Sequence, residues 1–352
     1  MALGLPSLGT LRARPRDLAR WLFWVPSRRI LDPSRPDTVR KLWPGWIAWY
    51  AVSSAQRARM ADEYVRVFGP ALDRFWLGRL LADAARVAWR VHLEELLVGR
   101  LDPQNVDLHL DLWGREHLDA ALARGRGVVL LSAHAGSFLL PVAWLSLKGY
   151  ACTQYAARGL PPEHLARAYP GVLPTHRWQA RIHEVREASE DRLPASFLPA
   201  GAPVREMVRR LARNEIVGLA FDGRLGTRWV RTRLMNREAL LSPGPYRLAW
   251  KTGAALVPVF CSTPPGDRSV AEVGSPILPD DRDWRTLMHT FVSERADPFL
   301  LRHPAEYGTW LAHCRLRNGI DDHPFFVDPA PDDRWRAHPA LVPPTPGEPQ
   351  VV

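Results

Sequence analysis

Cysteine is scarce: Cys152, Cys261 and Cys314 are the only three in 352 residues. An odd, widely spaced set builds neither a disulfide framework nor a metal site, so a reducing compartment and no bound metal are expected. The common cofactor signatures are missing as well. The chain holds no G-x-x-x-x-G-K-[ST] loop, no G-x-G-x-x-G and no H-E-x-x-H, which leaves phosphate-loop, dinucleotide and zincin chemistry without support. No G-x-S-x-G elbow occurs, so a serine hydrolase is unsupported. Nucleic-acid modules are absent too, and basic charge alone does not revive that class. No internal repeat is visible. The N-terminus, MALGLPSLGTLRARPRDLARWLFWVP, sets its arginines after the first apolar residues and has no adequate apolar core, so it does not read as a secretory signal.

Acidic charge is the minority. The formal net charge is +10, which favours acidic partners. The excess concentrates at the start: Met1 to Ala61 holds eleven Arg or Lys against three Asp, with Trp21, Trp24, Trp43, Trp46 and Trp49 in the same stretch. Residues 1–60 are read as a basic, tryptophan-rich arm suited to an anionic membrane surface, with a solvated arm packing aromatics onto the body as the equal alternative. Residues 61–327 form the main domain. Residues 328–352 hold seven prolines and read as a disordered tail.

Uninterrupted apolar runs are missing too, with one near-exception. Residues 127–148, GVVLLSAHAGSFLLPVAWLSLK, have no charge before Lys148. A membrane span needs about 20 apolar residues in one helix, but Ser132, Gly136, Ser137 and Pro141 break the run. His134 would also sit near the bilayer centre, where polar groups are costly. The better parse is a strand over 127–132, a turn carrying His134, a helix from about Ser137 to Lys148, and a second strand over 150–157. That is a β-α-β unit. Upstream, residues 43–101 are helix-rich, with apolar residues at spacings of three and four. Downstream, Pro203 opens a helix with Val204, Met207, Val208 and Leu211 on one face, and the strand NEIVGLAF (214–221) follows. Ser242 and Pro243 open a helix that stops at Gly253, and ALVPVF (255–260) is the next strand. The fold class is therefore α/β, a mainly parallel sheet flanked by helices, with a helical N-terminal region.

Ligands of such sheets bind beyond the carboxyl ends of the strands. His134, Arg158 and Asp222 each follow a strand end closely, so three complementary polar groups converge at one edge. His134 sits among Ala133, Ala135 and Gly136, small residues that let a substrate approach, and an imidazole there suits general-base duty. The run RLGTRWVRTRLMNR (224–237) carries five arginines and no acid. Guanidinium forks match phosphate oxygens, so a phosphate-bearing substrate is expected beside Asp222, with a solvated basic hairpin as the bland alternative.

Four stretches, GREHLDAALARGRGVVLLSAHAGSF, REMVRRLARNEIVGLAFDGRLG, NREALLSPGPYRLAWKTGAALVPVF and HPAEYGTWLAHCRLR, agree in order, spacing and chemistry with one family. From about residue 50 to 318 the chain resembles the bacterial lipid A biosynthesis (late) acyltransferases of the lysophospholipid acyltransferase superfamily. The resemblance implies transfer of a fatty acyl group from acyl carrier protein or coenzyme A to a hydroxyl of a glycolipid or phospholipid. It also implies a peripheral position on the cytoplasmic face of the inner membrane, anionic membrane lipid as a partner, and no cofactor beyond the thioester co-substrate. By the same resemblance His134 is the histidine of the H-x4-D/E motif and the general base. Asp222 is the acid of the third block, with Gly223 and Arg224 beside it. Pro258 is the proline of the fourth block. Arg158 falls where the family has an arginine after the next strand; it and the arginines of the 224–237 run, Arg224, Arg231, Arg233 and Arg237, are expected to hold phosphate of the acceptor or of the donor's phosphopantetheine. High Arg, Ala and Pro usage points to a GC-rich genome, which leaves lipid A, a phosphatidylinositol mannoside or another glycolipid open as acceptor.

One departure stands out. Five residues after His134, where the motif places its acid, the chain has Leu139. Asp222 could orient the imidazole instead, the histidine could work unassisted at reduced rate, or the chain could bind lipid or carrier protein without catalysing.

Overall fold

The computed structural model describes residues 21–26, 29, 31–37, 52–69, 72–157, 177–280, 282–317 and 323–327. Most of the basic arm, Arg158 and the proline-rich tail lie outside these described residues. Trp24 is described, and it packs on the body: it is buried, edge-on to Phe23 and to His92, with the Arg186 guanidinium 5.2 Å above its ring. For this tryptophan the packed-aromatic alternative describes the contacts.

Helices α1 (Ser54–Phe68) and α2 (Arg74–Leu97) come first. Each starts on a side-chain cap: Ser53 Oγ accepts from the Gln56 amide and Asp73 Oδ1 from the Trp76 amide, satisfying donors that have no helical partner. Strand β1 (Leu110–Trp113) and helix α3 (Arg115–Leu122) lead to β2 (Val128–Ser132), α4 (Leu139–Leu147) and β3 (Cys152–Ala156). Next come α5 (Arg177–Glu190), β4 (Ser196–Pro199), α6 (Val204–Ala212) and β5 (Ile216–Ala220). A hairpin, β6 (Val230–Leu234) and β7 (Arg237–Leu241), precedes α7 (Gly244–Thr252), β8 (Ala255–Ser262) and β9 (Ser269–Val273). The chain then closes with α8 (Trp284–Phe291), a π-turn, α9 (Asp297–Arg302) and α10 (Pro304–Arg317).

Seven strands make one sheet in the order β1-β9-β8-β2-β5-β3-β4. The five from β8 to β4 are mutually parallel, and the β8–β9 pairing is antiparallel. This is the mainly parallel α/β architecture the pattern predicted. Strand β2 is central and apolar because both faces are covered. Val129 and Leu131 join one core cluster, while Val128 and Leu130 join the other, as alternation across a pleat requires. At about 1.5–3 kcal/mol for each fully buried aliphatic side chain, this strand anchors the sheet.

Two local expectations shift. Helix α7 begins at Gly244, with Pro243 in the capping position and Ser242 Oγ accepting from the Gly244 amide at 3.3 Å. On α6 the predicted single apolar face divides. Met207 and Leu211 are buried, but Val204 and Val208 are exposed.

Arg224 and Arg237, expected to hold phosphate, are both buried. Arg224 donates to the carbonyls of Leu240, at 2.8 Å, and His323, and lies 4.0 Å above the Trp229 ring. Arg237 is ion-paired with the equally buried Glu63 and sits 3.9 Å above Phe326. Planar guanidinium groups stack well and satisfy several acceptors at once, so here they knit the hairpin to α1 and to residues 323–327. Removing one partner of a buried pair leaves an uncompensated charge. Glu63→Ala is therefore expected to lower unfolding free energy by about 3–5 kcal/mol, read as a lower denaturant midpoint at unchanged slope.

Candidate active site

The parallel register of β2 and β5 pairs Val128 with Ile216 and runs on to Ser132 with Ala220. The ladder continues one step further, the Phe221 amide donating to the Ser132 carbonyl at 2.9 Å. Two residues beyond each strand end, the same offset of 88 places His134 beside Asp222. His134 Nδ1 lies 2.7 Å from Asp222 Oδ1, and the His134 amide donates to Oδ2 at 3.0 Å. A third donor, the Tyr307 hydroxyl on α10, reaches Oδ2 at 2.9 Å. Asp222 is only 1% exposed. With Nδ1 as the donor to this carboxylate, Nε2 of the neutral ring is the acceptor.

The turn itself is held tightly. Ala133 and Ala135 are buried. Gly136 adopts φ +55, and a Cβ there would stand 2.5 Å from the Cys261 carbonyl oxygen, so only glycine fits. Its amide donates to the Glu306 carbonyl at 3.1 Å. The imidazole is stacked on Trp310, ring centroids 3.8 Å apart at 11°, and meets Phe138 edge-on at 5.5 Å. Pro258, on the neighbouring strand, pairs with Leu131 in the β2–β8 seam.

His134 opens on a cavity of about 660 Å³, within the usual range for ligand pockets. Its walls are largely apolar: Phe138, Leu139, Val142, Phe197, Met207 and Leu248 contribute. Leu139, which occupies the motif's acid position, is thus part of the apolar wall, and Asp222 is the carboxylate at the imidazole. Gly223 also lines the cavity, together with Arg228 and Arg247. Arg231 and Arg233 lie on the hairpin, and Arg158 is outside the described residues. Arg231 pairs with Glu238 at 3.3 Å on the hairpin, and Arg233, exposed, stands opposite Glu238 in the β6–β7 register. The sequence reading singled out neither Tyr307 nor Trp310. A Tyr-x-x-Trp pair on one helix face was the available signal, but it is indistinguishable from core packing without the strand register.

The family model described as bacterial lipid A biosynthesis acyltransferase matches residues 53–317. The chain belongs to this family. It is an acyltransferase of lipid biosynthesis. The phosphatidylinositol mannoside acyltransferase of Mycolicibacterium smegmatis (strain ATCC 700084 / mc(2)155) is 28% identical over 255 residues, covering 71% of each chain. Proteins of the same name from two Mycobacterium tuberculosis strains, CDC 1551 / Oshkosh and ATCC 25618 / H37Rv, are 32% identical over 152 residues, 42% of each chain. Among the described residues no helix is long and apolar enough to cross a membrane.

Under the turn lies a second, buried polar cluster. Glu94 accepts from Ser137 and from Ser269, and is ion-paired with Arg90. Glu306 Oε1 accepts from the Thr263 amide at 2.8 Å and from its hydroxyl at 3.0 Å. Burial pushes the Glu306 carboxyl from its ordinary value near 4.5 up to about 7; the Thr263 hydrogen bonds and Arg86 oppose the rise and Glu94 adds to it. The folded protein therefore binds this proton more tightly than the unfolded chain. Its stabilising contribution is full below about 4.5 and is lost as pH rises through about 7. Relative to Glu306→Gln, the native protein is expected to lose roughly 3 kcal/mol of unfolding free energy between pH 4.5 and 7.5, measured by urea melts across that range.

Proposed function

We propose that this acyltransferase moves a fatty acyl group from a thioester donor, acyl carrier protein or coenzyme A, onto a hydroxyl of a mannosylated phosphatidylinositol or a closely similar anionic glycolipid, with His134 as general base. The observation that carries the reading is the His134–Asp222 pair, 2.7 Å apart, facing an apolar cavity of about 660 Å³. The names of the relatives supply the acceptor class.

His134 Nε2 takes the proton of the acceptor hydroxyl as that oxygen attacks the thioester carbonyl carbon. Asp222 holds the ring in the tautomer that leaves Nε2 free, and its charge offsets the imidazolium that forms. The tetrahedral intermediate then collapses, the C–S bond breaks, and the imidazolium returns its proton to the departing sulfur. The products are an ester and a free thiol. No water and no outside oxidant enters the balance. The apolar walls suit the fatty tail, each methylene burying about 0.8 kcal/mol of hydrophobic free energy. Arg228 and Arg247, which form no ion pair among the described residues, suit a phosphate of the acceptor or of the donor's phosphopantetheine arm. The same basic surface suits an acidic carrier protein and an anionic bilayer at the inner face of the membrane, with attachment at the surface rather than through a span.

Asp222 supplies the carboxylate that Leu139 withholds, which supports the catalytic reading over a lipid-binding module without activity. Transfer from an acyl-CoA or acyl carrier protein donor to a phosphatidylinositol mannoside can be followed by mass spectrometry of the product lipid. His134→Ala is expected to abolish it and Asp222→Asn to lower kcat by about 10³–10⁴-fold. Full activity in the His134→Ala variant would overturn the assignment. Arg228→Ala and Arg247→Ala are expected to raise KM with little change in kcat.

A further inference from the structure

We propose that Tyr307 and Trp310, one helical turn apart on α10, are positioning residues for the acyl-transfer pair: Tyr307 fixes the Asp222 carboxylate, and Trp310 fixes the plane of His134 and stabilises its protonated form. This rests on the reading of His134 as the general base.

The two side chains leave the same face of α10, since positions three apart are neighbours on a helix. Each touches a different member of the pair. The Tyr307 hydroxyl is buried and donates to Asp222 Oδ2 at 2.9 Å. Burial first, and then the Asp222 charge, push that phenol well above its ordinary value, so it stays protonated and stays a donor. With the His134 amide on the same oxygen and Nδ1 on the other, the carboxylate has hydrogen bonds on both oxygens and is pinned against rotation.

Trp310 acts on the partner. Its indole lies flat against the imidazole, centroids 3.8 Å apart at 11°. A turn of the imidazole about its Cβ–Cγ bond would carry Nδ1 away from Asp222 and drive the ring into the indole face. A cation over an indole face is attracted by the ring quadrupole, so the stack favours the imidazolium that appears only during the reaction. That is stabilisation of the transition state over the ground state. Without an acid at position 139, this helix supplies the second support of the pair.

Other ionisable groups stand near the pair. Tyr246 is buried and senses the Asp222 charge, Arg224 acts on Tyr307, and His313 is stacked on Trp310 at 4.9 Å. From the cavity side come Glu95, Arg186, Glu190, Arg228 and Arg247. None of these is altered by the substitutions below.

The test uses the full chain and two readouts. The first is the titration midpoint of the His134 ring by proton–carbon NMR, its signal assigned by its loss in His134→Gln. The second is the acid limb of the kcat/KM pH profile. Trp310→Leu is expected to lower both midpoints by about half a pH unit or more, and Trp310→Phe by a smaller amount in the same direction. Tyr307→Phe removes a donor from Asp222, concentrates the carboxylate charge on the imidazolium, and is expected to raise the midpoints while lowering kcat about tenfold at unchanged KM. The two phenylalanine variants carry the test if Trp310→Leu does not fold. Folded variants whose midpoints match the native protein within about 0.1 pH unit would reduce both residues to packing. Should His134→Gln retain full transfer, the base assignment fails, while midpoint shifts would still report the contacts from α10.

Discussion

The register between β2 and β5 is the constraint on which the site depends. A parallel ladder with a constant offset brings residues 134 and 222 side by side wherever the rest of the chain goes. A slip of one residue would turn every side chain of β2 to the opposite face and carry the imidazole away from its carboxylate. Burial of Val128, Val129, Leu130 and Leu131 on both faces of the sheet makes that slip prohibitive. Hydrophobic packing of a central strand is thus what sets the geometry of the His134–Asp222 pair. Leu139 stands five residues after the histidine, and the carboxylate at the imidazole comes from the neighbouring strand end.

The second element is α10, which contacts the site at three points. Glu306 engages Thr263 and the Gly136 amide, Tyr307 engages Asp222, and Trp310 lies against His134. The helix is itself held by α1 and α2: the Tyr64 hydroxyl donates to the Pro304 carbonyl at 3.0 Å, and Gly308 lets that hydroxyl and the Ala84 methyl approach closely. The helical N-terminal region is therefore structural support for the site, two layers removed from the chemistry.

Much of this was legible in the sequence. Hydrophobic runs of five or six residues bounded by glycine and polar turns mark β2, β5 and β8, and alternation with helical periods marks the parallel sheet. His134 was legible because it interrupts an apolar run in a small-residue turn, and Asp222 because it follows a strand end directly. The arginines were not. A run of five in fourteen residues looks like one electrostatic feature, yet Arg224 and Arg237 point inward to stack on Trp229 and Phe326. Their acceptors come from distant parts of the chain, Glu63 and His323 among them. Side-chain direction on a hairpin, and partners 99 and 174 residues away, leave no trace in local composition. Tyr307 and Trp310 were hidden for a related reason. Aromatic residues at helical spacing are what any buried helix displays, and only the position of the strand ends distinguishes these two from filling.

Between β2 and β5, the two strands whose ends carry His134 and Asp222, the chain runs through β3, α5, β4 and α6, and each contributes to the cavity wall, through Tyr155, Arg186, Phe197 and Met207. Substitutions in these intervening units can reshape the cavity wall while the β2–β5 ladder stays bonded, so one scaffold can vary the shape of its pocket without first disturbing the His134–Asp222 pair.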